Sequence, residues 1–122
     1  MQEIPGKSIS LDSLENMFTN IQKETNWDTN KTLLWGYFFT HNEPKKLEEA
    51  SVVLEKKGYK VVSIYLSEKD NLNDPDLFWL HIEKVEIHTP ATLDAQNNQF
   101  YIFAHEFGLD SYDGMDVGPV SK

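Results

Sequence analysis

The 122-residue chain contains no cysteine and no arginine. The first absence excludes disulfide staples, cysteine zinc sites and thiol chemistry. The second, with only 11 lysines against 20 acidic residues, removes the forked cations by which proteins grip phosphate backbones. Glycine is sparse and scattered, with Gly36 inside an apolar run and Gly108, Gly114 and Gly118 at expected turns, so there is no glycine-rich loop to cradle a nucleotide phosphate. No window approaches the ~20 consecutive apolar residues of a membrane span. The opening residues also lack the basic region and apolar run of a secretory signal. A soluble, cytoplasmic protein is expected, and the sequon Asn30-Lys31-Thr32 is read as chance.

What is abundant is negative charge, −9 in total, and it is unevenly spread. Residues 1–62 carry 9 acids against 8 lysines, whereas residues 63–122 carry 11 against 3, with no lysine between Glu86 and Asp116. Such a half-molecule should repel nucleic acid and suit a basic protein partner, one that itself handles nucleic acid being the natural example. Glu106, Asp110, Asp113 and Asp116, within eleven positions, are the candidate partner-binding residues. Acidity that serves solubility alone is the competing explanation.

Periodicity gives the organisation. Leu11, Leu14, Met17, Phe18 and Ile21 recur at helical spacing after Ser10, a candidate N-cap, and a polar connection pinned by Trp27 follows. The run LLWGYFFT, residues 33–40, is apolar on both faces, as a central strand would be. Asn42-Glu43-Pro44 predicts a cap and first turn for a helix that presents Leu47, Ala50, Ser51 and Leu54 and stops at Gly58. Strands are expected over 59–66 and from Phe78 towards His88, separated by a polar loop at 67–76. Thr89-Pro90 opens a last helix carrying Leu93, Phe100, Phe103, Ala104 and Phe107 and ending at Gly108. A final strand lies around 112–117, with turn chemistry at Asp113-Gly114.

The order after the first helix is β-α-β-β-α-β, the ferredoxin-like arrangement of the α+β class. Residues 1–31 read as an N-terminal helix and connection, and residues 32–120 as the ferredoxin-like domain. The richest apolar runs fall on the first and third strands, which are central in that fold.

Sites for chemistry are hard to find. His105-Glu106 begins like a zinc-protease helix, but Leu109 stands where the second imidazole belongs. His41, His81, His88 and His105 show no ligand spacing. Asp113 and Asp116 would form an acid and base pair only if burial separated their pKa values, and a position near a turn argues for solvation. Trp35, Tyr37 and Phe39 resemble the stacking residues of RNA-binding sheets of this topology, but the missing cations and an N-terminal helix free to cover the open face favour a core role. No catalytic residue, cofactor or metal ligand is assigned, and no enzymatic activity is expected.

At the motif level the chain resembles the regulator of ribonuclease E activity B family, the RraB-like proteins. The resemblance runs from Tyr37-Phe38-Phe39 through Leu54-Glu55-Lys56-Lys57-Gly58-Tyr59-Lys60-Val61 and Leu93-Asp94-Ala95-Gln96 to Tyr112-Asp113-Gly114, which looks like that family's terminal Tyr-Asp-Gly signature. About two-thirds of the chain is covered. Met115 replaces the family's usual tryptophan, and Pro119-Val120-Ser121-Lys122 its acidic tail. The resemblance implies a ferredoxin-like domain that binds an RNA-processing endonuclease, ribonuclease E or a related nuclease, and restrains it without catalysis. An immunity protein that neutralises a toxic nuclease is the alternative reading of a small acidic domain.

Overall fold

The computed structural model describes residues 4–120. Helix α1 spans Leu11–Glu24 and strand β1 Leu33–His41, followed by α2, Pro44–Lys56. Strands β2, Lys60–Leu66, and β3, Phe78–Glu86, lead into α3, Pro90–Phe107, and β4, Ser111–Gly118. The four strands form one antiparallel sheet in the order β2-β3-β1-β4, so the two strands with the richest apolar runs occupy the centre, and β2 and β4 the edges. The architecture is α+β, ferredoxin-like with an additional N-terminal helix, as the residue pattern predicts.

Local chemistry sets the boundaries. Ser10 caps α1 by accepting from the Ser13 amide at 3.1 Å. Thr89 and Thr92 close a capping box at the start of α3, which ends at Gly108 in the left-handed region at φ 80°. Helix α2 departs from the expected cap: Glu43, not Asn42, holds the N-cap position and makes no side-chain bond there. Pro44 still suits that start because it needs no amide partner in the first turn.

The pleat of β1 sorts its residues. Trp35, Tyr37 and Phe39 point into the core and are at most 1% exposed, joined by Leu80 and Ile82 of β3. The core role expected for the three aromatics holds. Helices α2 and α3 cover this face with Leu47, Ala50, Leu54, Leu93, Phe100 and Ala104. Helix α1 lies alongside α3 on the same side, its Phe18 ring stacked on Trp35 with centroids 5.9 Å apart. It therefore does not cover the opposite face, contrary to the sequence expectation. The reason is where its apolar stripe points: Leu14, Phe18 and Ile21 find unfilled core beside α3.

Asp113-Gly114 is not a turn. The pairing of β1 with β4 skips a residue between Phe38 and Phe39, so Asp113 is the extra residue of a β-bulge and Gly114 takes φ 145° opposite Phe38. The sequence signal for a glycine-favoured backbone is real, but it re-aims an edge strand without ending it.

Candidate functional site

With all three helices on one side, the other side of the sheet is uncovered. By alternation it displays Leu34, Gly36, Phe38 and Thr40 from β1, Trp79, His81, Glu83 and Val85 from β3, and Ser63 and Tyr65 from β2. The aromatic members form a row across the strands. Phe38 stacks on His81 with centroids 4.5 Å apart, Tyr65 lies parallel to Trp79 at 6.5 Å, and Phe38 meets Trp79 edge-on at 6.2 Å. Tyr65 and Val85, at opposite ends of this face, are 44% and 47% exposed. A groove of about 400 Å³ runs along the row, lined by Tyr65, Trp79, Phe38, Asp113, Gly114 and Ile9.

The acidic strand borders this row. Asp113 lines the groove from the bulge, and Asp116 pairs with Gly36 on the same face. Gly36 is needed for what stands above it: a Cβ there would overlap the Asp116 carboxylate and lie 2.9 Å from His81 Nε2. An acid from one side and an imidazole from the other thus converge over a glycine on the mid-sheet surface. Asp110 joins from the end of the strand, accepting from Thr40 Oγ1 at 3.1 Å. Glu106 lies apart, exposed on α3 in the helical layer. The structure brings Asp113 and Asp116 together, ties Asp110 to their end of the sheet and leaves Glu106 on the other side. None of the ion pairs among the described residues involves any of these four acids, whereas Glu83, Glu86, Asp76 and Asp94 each meet a lysine.

The outward-facing aromatics Phe38, Trp79 and Tyr65 are absent from the sequence expectation, which singled out Trp35, Tyr37 and Phe39. The period-two pattern held the signal, since the residue between two core aromatics faces the other way.

Two further clusters lie on the helical side. Glu86 Oε2 accepts from the Tyr37 hydroxyl at 2.9 Å and from His88 Nε2 at 2.5 Å, while His88 Nδ1 meets Thr92 Oγ1 at 3.1 Å. Burial pushes the Glu86 carboxyl up, but the hydrogen bonds from His88 and Tyr37 and the His88 charge outweigh it and hold Glu86 below its ordinary range. Burial, reinforced by the Glu86 charge, raises the Tyr37 phenol strongly and takes Tyr59 to about 12. The cluster joins β1, the end of β3 and α3, and both Tyr37 and His88 are closed off from solvent, so it acts as a clamp. A strand-end histidine two residues after a glutamate was its sequence trace.

A groove of about 370 Å³ between α2 and α3 is lined by Leu54, Lys57, Tyr59, Gln96, Phe100 and Phe103. The motif stretches 54–61 and 93–96 meet there. Among the described residues, no group of three or more histidines and carboxylates is placed to hold a metal ion, and no helix is long and apolar enough to cross a membrane.

Comparison with known proteins gives a family match. The model described as regulator of ribonuclease activity B matches residues 11–117, from the first residue of α1 to the penultimate residue of β4. No curated protein matches the chain.

Proposed function

Because the chain belongs to the regulator of ribonuclease activity B family, we propose that it is a non-catalytic, cytoplasmic protein that binds a ribonuclease of the ribonuclease E kind and restrains it through an acidic surface. The observation that carries this reading is the state of Asp110, Asp113 and Asp116, three carboxylates along one edge of the sheet with no ion-pair partner among the described residues. Unpaired like charges on one rim repel each other, and a basic partner relieves that repulsion. They also add to a long-range potential that draws such a partner in. The uncovered apolar face beside them supplies area that water leaves readily once a partner closes over it.

Catalysis has no support in the geometry. The acids on the sheet rim are exposed, and among the described residues the acid–histidine ion pair, Glu86 with His88, lies largely buried near the start of α3. The test is cleavage of a short RNA by a purified ribonuclease E-type endonuclease with increasing amounts of this protein. The expected result is slower cleavage at a stoichiometric ratio, lost at high salt. Unchanged cleavage at saturating protein would refute the reading.

A further inference from the structure

We propose that the uncovered sheet face is a docking site for an arginine-bearing, extended segment of a protein partner. Its guanidinium groups would lie along the Phe38, Trp79 and Tyr65 row and pair with Asp113 and Asp116. This identifies the occupant for the regulatory surface and rests on the reading that the partner is a protein.

Three observations converge on that chemistry. The row presents planar π systems in parallel pairs, Phe38 with His81 at 18° and Tyr65 with Trp79 at 5°. A guanidinium is planar and weakly hydrated, so it stacks on such rings, whereas an ammonium keeps its water shell. Next, carboxylates flank the row: Asp113 opens into the same groove, and Asp116 stands over Gly36, one same-face position along β1 from Phe38. A stacked guanidinium still directs its N–H groups outward in its own plane, where a carboxylate accepts them. Last, among the described residues the cations on this face are few. Lys60 at the far edge is engaged by Glu83, and His81 leans on Phe38, so the partner must bring the positive charge.

The same facts weigh against single-stranded RNA, the other ligand that aromatic sheets take. RNA bases would find rings to stack on, but its phosphates would meet Asp113, Asp116 and Glu83 with no arginine anywhere in the chain. Apolar residues between the arginines have a place to go, since Leu34 and the half-exposed Val85 pair directly across β1 and β3 on this face.

The experiment is an NMR titration of the ¹⁵N-labelled full chain with three probes: a synthetic peptide of alternating arginine and leucine, the same peptide with lysine for arginine, and an oligouridine RNA. The proposal expects shifts centred on Phe38, Trp79, His81 and Asp116, tighter binding of the arginine peptide than the lysine peptide, and no RNA binding. Trp79→Ala and Asp116→Asn should each weaken the arginine peptide by about tenfold. Tyr65→Ala, at an exposed position, serves if Trp79→Ala does not fold. Equal affinity for the two peptides, unchanged binding by the folded variants, or preferential binding of the RNA would each overturn it. The same variants are carried through the ribonuclease assay. If the parent restrains cleavage and the variants do so equally well, the docking site is wrong and the regulatory reading stands. If the parent itself does not restrain cleavage, the regulatory reading fails, and the peptide titration still judges the surface.

Discussion

The Tyr112 hydroxyl donates to Asn97 Oδ1 at 2.6 Å, a buried bond that joins β4 to the middle of α3. Asn97 is fully buried within the helix, and its amide nitrogen reaches the Met115 sulfur at 3.3 Å. The tyrosine of the Tyr-Asp-Gly signature is thus a structural anchor, and the residue after that signature completes the asparagine's bonding. Tyr112→Phe keeps the ring and leaves Asn97 Oδ1 buried without its donor. It should cost about 1 to 3 kcal/mol by urea unfolding, while Met115→Leu should cost less because the sulfur is a weak acceptor.

Acid should loosen the clamp at Glu86. A carboxyl held below its ordinary value of 4.5 favours folding while ionised, so its contribution is complete above that value and is lost as the pH falls through the lower, folded value. Melting temperature measured from about pH 6 to pH 3 should fall for the parent and fall less steeply for Glu86→Gln.

At the alkaline end the sign is reversed. Burial, with neighbouring charge, raises Tyr37, Tyr59 and Tyr112 above the ordinary 10, so their contribution is full below 10 and is lost as the pH climbs towards their folded values. The tyrosinate absorbance of Tyr37, Tyr59 and Tyr112 at 295 nm should therefore appear together with the unfolding transition and not ahead of it.

Trp35→Ala and Phe39→Ala each remove a ring that the core encloses, and each should destabilise by about 3 to 5 kcal/mol. On the opposite face of the same strand, Phe38→Ala should cost clearly less, because its ring is only half-buried. Chemical denaturation of the three variants checks the pleat directly.

Charge reversal at Asp113 and Asp116 should slow association with the ribonuclease and flatten its salt dependence while circular dichroism stays unchanged. Reversal at Glu106 alone should do less, since it lies on α3 away from the uncovered face. Stopped-flow association at several ionic strengths separates the two. A generic RNA should give no micromolar, salt-sensitive gel shift, given the chain's charge and its lack of arginine.

Much of the fold was legible because its signals are local. Ser10, Thr89-Pro90 and Gly108 mark helix ends through bonds within one turn, and the aromatic run of β1 could only be central. Charge was legible too, since among the described residues Asp113 and Asp116 have no ion-pair partner, in line with the lack of lysine between Glu86 and Asp116. The aromatic row was not, because it joins Phe38 to Trp79 and Tyr65 from three strands, and only the register brings them together. The role of Asp113-Gly114 depended on whether a strand continued past it, which the dipeptide does not encode. The direction in which α1 folds back was likewise decided by where core volume remained, a property of the whole assembly.

The uncovered face has one more implication, for how the molecule behaves among its own copies. A half-exposed aromatic sheet with open edge strands invites self-association. The bulge at Asp113 interrupts the regular pairing of β4, and the carboxylates of one copy would confront those of another. The negative rim proposed to recruit a cationic partner would therefore also keep copies of the chain apart. Near pH 4.8, where the composition balances the charges, that repulsion should lapse, and face-to-face association of copies should compete with partner binding.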